Sequence, residues 1–364
     1  MTLLDKPLAA RNRFADPRTG RDVIKLTPWD DCNCPGTYFY LQALSADERY
    51  LLFNADRGGT WHTYRLDLLT DDVTRVPGNH ADNRWPTMHH DGKGYVCLAD
   101  GRYWHIDIVS LARRPMTPAP AEPGMAWRAL RFAAGGQILV LHFTDAAGRH
   151  GIATCDGPEA TPRILLRWPD AVRSICHLLC PCTGEAFTTF GVLPDHQDHL
   201  DRSPADRARN WKLDLLTGEL QPYLIVPPGF RATHEYFSPA APLRQYYHVK
   251  TVGTWVPAAI ESVDVDGCDR QVAYASPDRK LGHSMLSADA RWMVSDVQDP
   301  HNNELLLIDM TTGASQALCW PNSSAVVNET GHVHPYFSPS GRHVVYTSDH
   351  TGKSAVYLVP EAIA

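Results

Sequence analysis

Gly331-His332-Val333-His334-Pro335-Tyr336-Phe337-Ser338-Pro339-Ser340-Gly341 is the stretch on which the reading of the fold turns. Its aromatic pair followed by Ser-Pro-Ser-Gly reads as a strand entering a tight turn, the first half of a hairpin. On a strand, side chains two apart leave from one face, so His332 and His334 are expected to point together and chelate one ion. The pattern echoes twice with a histidine near its start, in Thr233-His234-Glu235-Tyr236-Phe237-Ser238-Pro239 and in Gly282-His283-Ser284-Met285-Leu286-Ser287-Ala288-Asp289. That recurrence implies a repeat whose equivalent strands share a centre.

The rest of the chain follows the same grammar. Tyr38-Phe39-Tyr40-Leu41, Tyr50-Leu51-Leu52-Phe53, Thr63 to Leu68 and Val73-Thr74-Arg75-Val76 read as four short strands joined by turns, one antiparallel meander. Further units open near Arg84, Trp127, Ser174, Thr233, Gly282 and His332. Spacings of roughly forty to sixty residues with four strands each predict an all-β, seven-bladed β-propeller as a single domain over residues 1–364. Residues 1–21 read as a polar extension, and Asp22 to Thr27 as an orphan strand that closes the last blade. Asp67-Leu68-Leu69-Thr70, Asp214-Leu215-Leu216-Thr217-Gly218 and Asp309-Met310-Thr311-Thr312-Gly313 each end a third strand in a turn. The longest interruption, Leu193 to Arg209, is polar and contains Asp195-His196-Gln197-Asp198-His199, which marks it as functional.

Composition narrows the classes. The chain has 364 residues, 43% hydrophobic and 21% charged, the profile of a globular protein. Its net charge of -7 and lack of a basic stripe argue against nucleic-acid binding. Nothing resembles a signal peptide or a bilayer-spanning run, so no membrane association and a cytoplasmic location are expected. Nine irregularly spaced cysteines fit reduced thiols better than a disulfide framework. Cys32-Asn33-Cys34 and Cys180-Pro181-Cys182 lack the two-residue spacing of a zinc knuckle and read as structural. Oligomeric state is left open.

In a propeller the first strand of each blade lines the central channel, so distant histidines converge there. His177, His234, His283, His332 and His334 all fall at or near first strands. A single one is as well explained as a hydrogen-bonded core histidine; the set favours function. His283, His332 and His334 make a three-nitrogen site suited to manganese, iron or zinc, to which Glu329 can add an oxygen. Glu329 reads equally well as a solvated loop residue.

The three histidine tracts, with Tyr38-Phe39-Tyr40, resemble in the same order the oligogalacturonate lyases, a polysaccharide lyase family of seven-bladed propellers. The resemblance implies metal-assisted β-elimination on short uronic-acid oligomers, with manganese as the usual metal. It implies His283, His332 and His334 as metal ligands and His234 as the base. The match of Ala208-Arg209-Asn210-Trp211 implies Arg209 as a catalytic or substrate-binding residue, and His177, near a first strand, is expected to bind substrate. Glu329 stands where the family usually has a glutamine ligand, and the insertion lacks the usual His-Glu-Gly-Pro-His-Asp run.

The residue inventory fits that chemistry. Taking the C5 proton of a uronate requires its carboxylate to be neutralised by a metal or an arginine, and a histidine near the working pH to receive the proton. No Gly-X-Ser-X-Gly elbow is present. Three alternatives remain: a lyase on a different uronide, a glycoside hydrolase using scattered carboxylates, and a non-catalytic propeller scaffold. The histidine set speaks against the scaffold.

Overall fold

A computed structural model describes every residue except 1–11, 79–86, 121, 170–173, 182, 194–196, 198–200, 257, 300–302, 325–328 and 364. The described residues form seven antiparallel sheets in chain order, an all-β fold of the seven-bladed β-propeller class. The first blade comprises Tyr50–Ala55, His62–Asp67 and Val73–Arg75; the second Thr87–Met88, Gly94–Ala99, Arg102–Asp107 and Arg113–Pro115. The third comprises Ala126–Ala133, Ile138–Thr144, His150–Cys155 and Arg163–Arg167; the fourth Ser174–Leu179, Phe187–Leu193, Asn210–Asp214 and Leu220–Leu224. The fifth comprises Phe230–Phe237, Gln245–Thr251, Ala258–Val263 and Gln271–Ser276; the sixth Leu281–Leu286, Trp292–Val297, Leu305–Asp309 and Ser315–Cys319. The seventh joins Tyr336–Phe337, Val344–Ser348 and Ala355–Val359 to Asp22–Lys25 and Arg13–Ala15. Two compact units are present: Met1–Cys97 with His105–Arg114 and Arg279–Ala364, and Leu98–Trp104 with Pro115–Asp278. No helix among the described residues is long and apolar enough to cross a membrane.

Interior strands are apolar runs instead of alternating patterns. Every residue of Tyr50–Ala55, Val344–Ser348 and Ala355–Val359 is buried, because a central blade strand is covered on both faces. Outer strands such as Arg163–Arg167 lose that cover and carry exposed charge. In the first unit one apolar cluster gathers Leu44, Leu51, Phe53, Leu66, Val345 and Leu358. In the second unit another gathers Val140, Ile152, Ile175, Phe190 and Leu213.

The turns repeat as their residues suggest. The carboxylates of Asp67, Asp214 and Asp309 accept the backbone N–H two residues on, at 2.9, 2.8 and 2.8 Å, closing Asx turns. Asp107 makes a fourth copy through Val109 and Ser110.

Three expectations need correction. Tyr38–Leu41 is not a strand: Leu41 N–H donates to Tyr38 O and the Thr37 hydroxyl to Leu41 O, both at 2.8 Å, which folds the segment into a turn. The first blade therefore has three strands, extended by an isolated bridge between Leu44 and Leu51. His332 and His334 precede the strand, which starts at Tyr336 and is two residues long. Pro335 has no N–H to donate and His334 has φ 44°, so neither continues a ladder. Finally, the stretch read as a polar extension holds a strand of its own: Arg13–Ala15 pairs with the outer edge of Asp22–Lys25, which closes the last blade on Ala355–Val359 through Ile24 and Leu358, as expected.

Candidate functional site

In the first unit, His283, His332 and His334 converge. One ring nitrogen from each lies within 4.8 Å of the others. Ring centroids are 4.3 Å apart for His283 and His334, 5.6 Å for His283 and His332, and 5.4 Å for His332 and His334. Tetrahedral donors around one ion stand about 3.3 Å apart, so closure onto a metal takes small side-chain shifts. His332 and His334 meet by a route other than a shared strand face: the left-handed backbone at His334 turns an irregular segment back on itself.

His283 arrives through a bulge. Pairing between Leu281–Leu286 and Trp292–Val297 slips between Leu281 and Ser284, which aims the His283 ring out of the regular alternation. The Asp296 carboxylate then receives both the His283 backbone N–H and ring Nδ1, the latter at 3.2 Å. With Nδ1 donating to Asp296, Nε2 is the nitrogen presented to a metal, the usual arrangement of a ligating histidine and its supporting carboxylate. Gly282 makes room for this contact: a Cβ there would lie 2.3 Å from Asp296 Oδ1. Tyr38 packs on His334 with centroids 4.6 Å apart, and Phe39 on His283 at 5.2 Å. Burial, reinforced by the neighbouring His283 and His332, pushes the His334 pKa well below its ordinary value. A neutral imidazole is the form that binds a metal. Three neutral nitrogens with one oriented by a carboxylate fit a divalent transition metal. Glu329 opens a 3-10 turn, Glu329–Gly331, and its side chain lies outside the described residues.

In the second unit, Arg209 and His177 come together on a carboxylate, Glu235. Arg209 donates from Nε and Nη2 to Glu235 Oε1 and Oε2 at 2.5 and 3.2 Å. His177 Nδ1 stands 3.1 Å from Glu235 Oε2 and 3.3 Å from Arg209 Nη2. Glu235 is completely buried and Arg209 is 3% exposed, so the pair is desolvated. Burial by itself would raise the carboxyl pKa, but the Arg209 guanidinium and His177 hold it well below the usual range. His177 and His234 both take positive φ, 47° and 59°, at register slips in their strands. His234 shares the Phe230–Phe237 strand with Glu235 and sits edge-on to His248, centroids 5.7 Å apart. Within the insertion, Gln197 is buried and its amide pairs with both backbone groups of Ala232, at 2.7 and 3.1 Å. Asp195, His196, Asp198 and His199 lie outside the described residues.

Sequence reasoning assigned no role to Asp296 or Glu235. A signal for Asp296 existed: it is the one charged residue in the strand Trp-Met-Val-Ser-Asp-Val, all but its first residue buried, where an ionisable group needs a partner. Glu235 carried no comparable mark, since its strand also contains an arginine and a histidine.

The comparisons with known proteins agree with the ordered tracts. The family model "Oligogalacturonate lyase" matches residues 6–117. An oligogalacturonate lyase of Dickeya dadantii and an oligogalacturonide lyase of Pectobacterium atrosepticum are each 25% identical over 391 residues, covering 96% of this chain and 96% of the relative. An oligogalacturonate lyase in complex with manganese has a TM-score of 0.80 at 22% identity, over 96% of this chain and 95% of that one. A second, from Vibrio parahaemolyticus, has a TM-score of 0.79 at 19% identity, over 96% of each chain. The resemblance thus runs along nearly the whole chain, and the relatives are carbon–oxygen lyases.

Proposed function

We propose, from its similarity to oligogalacturonate lyases, that this chain is a carbon–oxygen lyase that cleaves short uronic-acid oligosaccharides, oligogalacturonate foremost, by β-elimination. The observation that carries the reading is the convergence of His283, His332 and His334 with Asp296 behind His283. A divalent metal held there, manganese by analogy with the solved relative, would supply the positive charge that neutralises a uronate carboxylate. Asp296 keeps the His283 ring in one orientation and tautomer. The Tyr38 and Phe39 rings cover the imidazoles on the sides they touch and limit water there.

The chain's other assigned residues supply proton transfer and anion binding. His234 is the base that takes the C5 proton, after which the C4 oxygen leaves and a 4,5 double bond forms. The guanidinium of Arg209, held in plane by Glu235 through two N–H groups, is assigned to bind the substrate carboxylate, with His177 alongside. Glu329 is assigned as a fourth ligand. Reduced thiols support a cytoplasmic setting: the described cysteines form no disulfide.

Incubation with digalacturonate or trigalacturonate and manganese tests the reading. An ultraviolet-absorbing unsaturated product, abolished by a chelator and restored by added metal, is expected. Metal-loaded protein that produces none from any uronide in a panel would overturn it. His234→Ala is expected to stop turnover with metal content unchanged; loss of metal from that variant would remove His234 from the base role.

A further inference from the structure

We propose that the second blade carries a separate divalent-metal site made by His89, Asp91 and His105. A ring nitrogen of each histidine and a carboxylate oxygen of Asp91 all lie within 4.8 Å of one another. Two imidazoles and one carboxylate are a donor set for zinc, iron or cobalt, and leave coordination positions for water. The residues come from two elements: His89 and Asp91 from the turn after Thr87–Met88, and His105 from the third strand, Arg102–Asp107.

The three side chains stand together and are held in place. His89 Nδ1 already holds Asp91 Oδ1 at 2.9 Å, and the His89 and His105 rings meet edge-on at 4.8 Å. His105 is 6% exposed, and its Nε2 has no hydrogen-bond partner among the described residues. A buried nitrogen left in that state forfeits its hydration with nothing in return, so something must retain it. The ring is also fixed in place: a Cβ on Gly94 would come within 2.4 Å of His105 Nε2, so only glycine admits this imidazole against the strand.

There is also a way in. A cleft of about 390 Å³ opens on Asp91 and His105 and is lined further by Lys93, Asp107, Arg113 and Arg114. Its basic groups are partly offset by the two carboxylates. The cleft gives water access to the open coordination positions, as a catalytic-type or exchangeable metal site requires.

Counting bound metal tests the proposal. Wild-type protein equilibrated with zinc, then freed of loose ions by gel filtration, is expected to retain two equivalents per chain by elemental analysis. Asp91→Asn and His105→Gln should each retain one, with the second-blade affinity down at least about 100-fold, because even supporting residues of metal sites cost 10–100-fold. His332→Ala should lose the other equivalent. Asp91→Asn is the guard against misfolding, since Asp91 lies in a surface turn; its uronide turnover should equal wild type. Cobalt substitution should add visible d–d absorption that Asp91→Asn removes. Bound metal undiminished in both second-blade variants, whether the wild type holds one equivalent or two, would overturn the proposal. A wild type retaining only the equivalent that Asp91→Asn abolishes would support this site and count against the three-histidine one.

Discussion

Each candidate group depends on a carboxylate that sets how a neighbouring cation or imidazole behaves. Glu235 holds Arg209 in a desolvated, two-point contact, and removing one partner of a buried pair leaves an unpaired charge. Glu235→Gln is therefore expected to destabilise the protein by about 3–5 kcal/mol in urea unfolding, and to lower turnover more than an exposed-site change would. Asp296 acts through His283. Asp296→Asn should weaken manganese binding about 10–100-fold by calorimetry while the far-ultraviolet spectrum stays unchanged. The histidines were legible because their type and recurrence are visible in the chain. Of the carboxylates, Asp296 showed only as a lone charge in an apolar strand and Glu235 not at all, since the group an acidic residue faces is set by the fold.

At the scale of elements, bulges decide where the histidines point. Regular strands would send His177, His234 and His283 to faces fixed by a period of two, but each sits at a register slip that breaks the alternation. Gly282 makes the slip at His283 workable. In Gly282→Ala the new methyl would meet Asp296 Oδ1 at 2.3 Å and Gln298 Cγ at 2.4 Å. That variant is expected to lose at least about tenfold in manganese affinity through displacement of Asp296, with the sheet retained, as read by calorimetry beside circular dichroism. Strand existence was legible from β-branched and aromatic runs. Bulges were not, because a slip depends on the partner strand's register as well as on local residues.

For the whole molecule, acid stability and the joining of the chain ends follow from buried pairs. His142 and His150 share one hydrogen bond at 2.7 Å. Burial first, then the nearby His150, Arg128 and Arg131, pushes the His142 pKa down to about 3. Below its ordinary value of about 6.5 the unfolded chain takes up the proton that the folded one refuses, so this residue's contribution falls as pH drops from about 6.5 toward about 3. The slope is at most about 1.4 kcal/mol per pH unit. His142→Phe should flatten that limb in pH-dependent unfolding. Deleting residues 1–25 should lower the melting temperature and promote aggregation, because the buried strand Ala355–Val359 would lose its partner Asp22–Lys25 and present a bare edge.

The repeating strand-and-turn grammar, the sevenfold count and the histidine-bearing tracts were determined by the sequence alone. Each rests on local chemistry: aromatic and β-branched runs favour strands, and Asp, Ser, Pro and Gly close turns within a few residues. Tertiary structure decided how the site is assembled. His332 and His334 were expected to share a strand face, yet they meet through a left-handed residue before a two-residue strand. Asp296 and Glu235 reach their partners from 13 and 26 residues away along the chain. Which groups converge is set by register and packing between strands, and a one-residue slip redirects a side chain without leaving a mark in local composition.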